Sequence, residues 1–141
     1  SNNIILSANL HDMMNTMKKN QPWFQATGGM HAAALFDSKG KLLSVREDIG
    51  RHNAFDKVIG DALRSDLPRE IIGLSGRIGW ELVAKGVRSG VEIIVAVGAI
   101  SSAAETLARS SGMTLVGFAT SKSPAIVGQL GRIIDKPSLN R

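Results

Sequence analysis

Between Val45 and Leu63 the chain reads VREDIGRHNAFDKVIGDAL. Arg46, Glu47, Asp48, Arg51, His52 and Asn53 put two guanidinium groups, two carboxylates, an imidazole and an amide ahead of Phe55, Val58, Ile59 and Leu63, which fall at helical spacing. An arginine at the start of a helix opposes the helix dipole, so Arg51 needs a negative partner. Glu47 and Asp48 can be that partner in a self-satisfied charged cluster. Alternatively they orient Arg51, His52 and Asn53 toward a bound anion or base, and the residue types leave both readings open.

Three more polar sets follow apolar runs. Ser75, Gly76 and Arg77 come after IIGL, Gly98, Ala99, Ser101 and Ser102 after IIVAV, and Thr120, Ser121, Lys122 and Ser123 after TLVGFA. Small hydroxyls and glycines at such loops expose backbone N–H groups that hold anions, and Arg77 and Lys122 add full charges. Taken singly, each set also reads as an ordinary helix cap. No Walker or dinucleotide fingerprint is present, and no serine–histidine–carboxylate pattern of a hydrolase stands out.

These sets need elements to carry them. Ser7 reads as the cap of a first helix with an apolar face of Leu10, Met13, Met14 and Met17, ending near Asn20. MHAAALFD and KLLSVRED read as a β-hairpin around the turn residues Asp37 to Gly40. A helix is expected from about Arg51 to Arg64. Then come a strand at IIGLSG, a helix over about 79–89, a strand at EIIVAVGA, a helix over 101–110, a strand at TLVGFA and a last helix after SKSP. Trp23 and Phe24 are expected to pack the first helix onto the sheet, Trp80 to pack within its own helix, and His31 to be structural. Alternating strands and helices with short continuous apolar runs imply parallel strands covered on both faces. Ligands of such sheets bind at the carboxyl ends of the strands, so the polar sets should share one edge.

The chain has 141 residues, 43% of them hydrophobic, and suits one domain spanning 1–141. It has no cysteine, which excludes a disulfide framework and a thiolate nucleophile within these residues. Seventeen basic against twelve acidic residues favour anionic partners. With two Trp, four Phe and no Tyr, stacking platforms for a nucleic-acid polymer are scarce, so a small phosphorylated ligand is expected instead. No apolar run has the length of a membrane span, and a cytoplasmic location is expected.

The segments TGGMHAAALFD, REDIGRHNAFDKVIG, SGRIGWELVAKGVRSGVEIIVAVGAISSAAETLA and MTLVGFAT together resemble the FdhD family of formate dehydrogenase accessory sulfurtransferases, from about Pro22 to Phe118. The resemblance implies an α/β fold, a three-layer α/β/α sandwich like that of cytidine deaminases. Its mixed sheet would hold a β-hairpin followed by parallel strands. It further implies sulfur transfer from a cysteine desulfurase to the molybdenum cofactor, a bis-molybdopterin guanine dinucleotide, for formate dehydrogenase, with GDP as a partial mimic and a homodimer as the assembly. By the same resemblance, Phe118, Ala119, Thr120, Ser121, Lys122 and Ser123 would receive the nucleotide. Ser75, Gly76, Arg77, Ser101 and Ser102 would line the rim, and Glu47, Asp48, Arg51, His52 and Asn53 would form its polar wall.

The family's Cys-x-x-Cys lies upstream of TGGMHAAALFD and has no counterpart here, so the chain is expected to be a C-terminal cofactor-binding domain, inactive alone. A cofactor chaperone or a protein-docking module without sulfur chemistry is the alternative. The sequence also lacks the family's glycine after Lys122 and its tyrosine-bearing final strand. Zinc is not expected, because Arg51-His52-Asn53-Ala54 stands where a deaminase has His-x-Glu, and the cysteine ligands are missing.

Overall fold

Two apolar faces on one sheet organise the chain, whose computed structural model describes residues 4–135. The strands are β1 (Ile5–Leu6), β2 (His31–Phe36), β3 (Leu42–Asp48), β4 (Ile71–Leu74), β5 (Ile93–Ala96), β6 (Thr114–Gly117), β7 (Ala125–Gly128) and β8 (Ile133–Ile134). The α-helices are α1 (Leu10–Lys19), α2 (Pro22–Thr27), α3 (Arg51–Ser65), α4 (Trp80–Ser89) and α5 (Ser102–Ser111). Six strands form a sheet in the order β3-β2-β4-β5-β6-β7, with β4, β5 and β6 parallel and the other pairings antiparallel. The expected mixed sheet, hairpin and parallel crossovers are all present.

The layers follow from side-chain alternation. Ala33, Leu35, Ile72, Leu74, Ile94, Ala96 and Leu115 face Phe55 and Val58 of α3, Leu82 and Val83 of α4, and Ala104 and Ala108 of α5. Ala32, Ala34, Phe36, Ile71, Ile93, Val95 and Val116 face Leu10, Met13, Met14 and Met17 of α1. The alanines of β2 leave room on one side for methionines and on the other for Phe55. Three layers, α1 on one face and α3 to α5 on the other, are therefore built around a sheet that is apolar on both sides.

Three expectations are corrected. Ser7 does not cap α1. It opens a 3-10 turn over Ser7–Asn9 and donates its hydroxyl to Asp135 at 3.1 Å, and Asn9 precedes α1 without a side-chain cap. The last helix is absent from the described residues: Ala125–Gly128 instead adds an antiparallel edge strand to β6, and β8 pairs in parallel with β1. The AIVG run is β-branched and too short for a helix, and the Arg132 guanidinium donates to the Glu92 carbonyl (3.0 Å), the Gly112 carbonyl (2.8 Å) and the Thr114 hydroxyl (3.3 Å), drawing the chain back across the sheet end. The tryptophans are not packing residues, since Trp23 is 63% and Trp80 54% exposed. Both sit on first turns, Trp23 in α2 and Trp80 in α4, and face outward.

Beyond the strands, backbone hydrogen bonds continue from loop to loop. The Gly98 N–H donates to the Gly76 carbonyl and the Phe118 N–H to the Gly98 carbonyl, each at 3.0 Å. The Ile78 N–H donates to the Ala99 carbonyl at 2.9 Å, and the Ser101 N–H to the Ile78 carbonyl at 3.0 Å. This approach requires glycine at position 98, where a Cβ would lie 2.9 Å from the Gly76 carbonyl oxygen and 3.1 Å from the Arg77 nitrogen. Gly98→Ala is expected to lower stability by about 2 kcal/mol, as overpacking against backbone does. Thermal denaturation of the two proteins measures it, and an unchanged midpoint would show that the loops yield without cost.

Candidate functional site

The sheet topology gathers the polar sets. Because β4, β5 and β6 are parallel, their carboxyl ends lie along one edge. Strand β2 runs against β4, so its first residue, His31, is at that edge. His31 pairs with Asp48, the last residue of β3, and α3 therefore also starts there. Residues 31, 48–53, 75–77, 97–101 and 118–120 thus form one rim.

At the centre of the rim is Arg51. A Cβ on Gly76 would meet its Cδ at 3.7 Å, and one on Gly79 would meet Nη2 at 3.7 Å, so the side chain crosses the glycine corner that leads into α4. Its Nε is buried and makes no hydrogen bond among the described residues. A buried donor without a partner costs about 1–3 kcal/mol, more when charged, so it marks a place where a partner is missing. Arg51 and Arg77 share a hollow of about 490 Å³ with His31, Gly76, Gly98 and Ala99, and a second hollow of about 350 Å³ that reaches Trp80 and Ser101. The N–H groups of Gly76, Arg77 and Ala99 donate to no other described residue.

His31 also borders a larger cavity of about 510 Å³ on the α1 side, together with Ser75 and Thr120. Met14 and Met17 of α1, Gln21, Phe24 of α2, and Met30 complete much of its wall. Met14 and Met17 are expected core residues, and His31 an expected structural one. Met14 and Met17 are buried, yet with half-buried Met30 they also form the cavity floor, and His31 lies between two hollows with its ring against Gly76 (Nδ1 would be 3.2 Å from a Cβ there). The Gly28-Gly29 stretch before His31 was the available signal, since a chain without side chains leaves space.

The remaining expected residues divide by what they touch. Glu47 accepts the N–H groups of Trp23 (3.0 Å) and Phe24 (2.8 Å) and so caps α2 rather than forming the wall beside Arg51. Asp48 accepts from the Gly50 N–H at 3.0 Å and the Asn53 amide at 3.4 Å and pairs with Lys57 at 2.8 Å. The acidic half of the opening cluster is thus self-satisfied, and Asn53 with it, whereas Arg51 faces the hollows. His52 is half-buried on the first turn of α3.

The Ser75 hydroxyl accepts the Ala32 N–H at 2.8 Å and borders the larger cavity. Ser101 caps α5, its hydroxyl accepting the Ala104 N–H at 3.1 Å, and Ser102 is exposed on the first turn. Phe118 has φ 50, a left-handed conformation unusual for an aromatic residue, and is 48% exposed. Its carbonyl accepts the Ser121 N–H at 3.0 Å, making a tight turn that buries Ala119 and leaves Thr120 at the larger cavity. Ser121, Lys122 and Ser123 are exposed and are not part of the wall of either hollow that His31 borders.

A three-layer α/β protein with a cationic, glycine-cornered rim at its strand ends and no thiol of its own is the class that this geometry defines. The chain belongs to the FdhD/NarQ family, whose model matches residues 2–134. It is 54% identical over 112 residues to the sulfur carrier protein FdhD of Nocardia farcinica, covering 77% of this chain and 40% of that protein. It is 43% identical over 126 residues to the sulfur carrier protein FdhD of Sulfolobus acidocaldarius, covering 87% of this chain and 48% of that protein. The chain spans a little under half the length of these curated relatives. A solved structure from Desulfotalea psychrophila, described as a formate dehydrogenase accessory protein, superposes with a TM-score of 0.87 at 28% identity, over 95% of this chain and 61% of that one. Among the described residues no helix is long and apolar enough to cross a membrane.

Hydrogen bonding from Lys57, then from the Gly50 amide, holds the Asp48 carboxyl at about 2, below its ordinary 3.8. The folded-state value is depressed, so this network stabilises the fold above about pH 3.8 and that stabilisation is lost as the pH falls toward 2. Asp48→Asn is expected to be less stable than the unsubstituted protein near neutral pH, with the difference shrinking across that acid window. Thermal midpoints measured from about pH 7 downward check this, and a difference that stays constant would remove Asp48 from the acid response.

Proposed function

We propose that this chain is the cofactor-holding part of a sulfur carrier that serves formate dehydrogenase, and that its rim binds the guanine-nucleotide portion of the molybdenum cofactor as cargo. The observation that carries the reading is the buried, unpartnered Nε of Arg51 beside Arg77. Two guanidinium groups beside closely packed glycine corners suit a diphosphate, which each arginine can bind through paired N–H groups. The adjoining hollows have the size of small-ligand sites, so the residues present fit a nucleotide diphosphate.

In this reading Arg51 and Arg77 neutralise the diphosphate, and the free N–H groups of Gly76, Arg77 and Ala99 add donors at the same corner. Gly76 and Gly98 let their loops close on one another and on the His31 ring, which sets those donors side by side. Glu47 acts at one remove, by holding α2 and with it Phe24. The bound molybdenum centre is where sulfur is delivered. With no cysteine among the 141 residues, the persulfide is carried by another segment or chain. A cysteine desulfurase then supplies the sulfur, formate dehydrogenase receives the loaded cofactor, and a second copy of the chain completes the assembly in the cytoplasm.

A second reading, a docking module without cofactor, draws on one observation: Ile49, Trp80 and Phe118 are exposed on this same rim. Calorimetric titration with GDP, and ADP as control, separates the two. The first reading expects saturable GDP binding with ADP much weaker, and Arg77→Ala binding GDP about tenfold more weakly, the loss of one charge-assisted contact, with an unchanged thermal midpoint. Absence of any nucleotide response would favour docking.

A further inference from the structure

The rim uses the strand ends and leaves the outer edge of the sheet free. Strand β3, with seven residues, is the longest strand among the described residues, and in the sheet it is paired only on its β2 side. Its register fixes which of its backbone groups face out. The Ser75 N–H donates to the Ala32 carbonyl at 3.0 Å and the Ala32 N–H to the Ser75 hydroxyl at 2.8 Å, so Ala32, and by alternation Ala34, address β4. Glu47 and Val45 stand opposite those two, and their N–H and carbonyl groups therefore point away from the sheet. The Glu47 carbonyl accepts the Lys57 ammonium at 2.9 Å. The Val45 N–H and carbonyl and the Glu47 N–H have no partner among the described residues. An unpaired row of this kind is a template for another strand, and proteins normally blunt it. Here a register shift beside Leu42 and the Lys57 ammonium blunt the two ends and leave the middle open.

We infer that this edge takes an acidic, extended segment of a second protein as a seventh strand of the sheet, paired at Val45 and Glu47. A hollow of about 390 Å³ wraps around the edge at that point, with Trp23 and Val45 on the α2 side and Arg46 and Lys57 on the α3 side. In strand addition the backbone pairing supplies affinity, and sites for alternate side chains supply specificity. Trp23 is exposed and belongs to neither core, so it offers an aromatic anchor on one face of the added strand. The other face meets cations. Arg46 and Lys57 keep 42% and 40% of their side chains exposed, whereas the partners Asp61 and Asp48 keep 17% and 22%. The carboxylates lie beneath and the cations outermost, so an approaching strand meets guanidinium and ammonium groups first. Glu47 does not offset them outward, because both its oxygens accept α2 amides. Residues 1–3 and 136–141, the stretches outside the described residues, hold no acidic side chain, so the segment comes from another protein. No residue of this hollow lines the Arg51 hollows, and the inference does not depend on the nucleotide reading.

An end-blocked peptide of β3's own length, glutamate alternating with valine and with a central tryptophan, tests it. Added to the isotope-labelled chain, the peptide is expected to bind saturably and to slow hydrogen exchange at the Val45 and Glu47 amides, which exchange freely without it. Trp23→Ala, a change at an exposed side chain, is expected to weaken the peptide about tenfold and to leave the thermal midpoint unchanged. Replacing the glutamates by lysine, or N-methylating the peptide backbone throughout, is expected to abolish binding, the first through charge and the second by removing every donor. The assignment falls if the glutamate peptide does not bind, or if it binds while both amides still exchange freely. It falls too if Trp23→Ala binds the peptide normally, or if the lysine or the N-methylated peptide binds as well. Protection of the same two amides that rises with protein concentration, with no peptide added, gives the edge to a second copy of the chain instead.

Discussion

The contact between Gly98 and Gly76 is the constraint on which the rim depends. Parallel strands diverge as they leave a sheet, and loops beyond them usually go separate ways. Here the Gly98 amide reaches the Gly76 carbonyl, and the Gly98 carbonyl receives the Phe118 amide, so the connections that follow β4, β5 and β6 are tied into one backbone ladder. Only a residue without a Cβ permits that distance. The consequence is a floor for the rim made of backbone, with Arg51, Arg77 and His31 standing on it and little freedom for the loops to drift apart. Preorganisation of this kind lowers the ordering cost of binding.

The charged stretch at the start of α3 divides its labour between structure and ligand. Asp48 is consumed by Gly50, Asn53 and Lys57, and Glu47 by the first amides of α2. Further along, Asp61 takes Ser44, Arg46 and Arg64, which fastens α3 to β3. What those pairings leave over is Arg51, positive at a helix start and unpartnered at Nε. Electrostatics that look excessive in the sequence are thus the sum of two paired carboxylates and a guanidinium whose Nε has no partner among the described residues. That division explains how a site without a nucleophile can still concentrate charge on one edge of the sheet.

Much of the architecture was legible because periodicity reports burial. The hairpin, the three parallel strands and their helices were all readable from runs such as IIGL and IIVA, since a strand covered on both faces has no polar alternative. The end of the chain was not readable. AIVG carries no period long enough to separate strand from helix, and its place beside β6 is decided by pairing and by the reach of Arg132 across the sheet end. The tryptophans misled because size suggests burial, whereas both stand on helix faces turned away from the two cores. The burial of Gln21 gave no signal, because an amide between a helix and a proline looks like any polar surface residue.

Composition and motif order by themselves determined the layer scheme, the absence of a thiol and the gathering of hydroxyls, glycines and arginines at strand ends, because these depend on local pattern and on the rule that parallel strands end together. Tertiary structure alone decided which charges are spent and which are free. It turned buried Met14 and Met17 into a cavity wall and left the Arg51 Nε buried without a partner among the described residues. Those outcomes depend on which atoms from distant segments arrive within hydrogen-bonding distance, and no spacing along the chain encodes a distance between residues 51 and 76 or between 21 and 31.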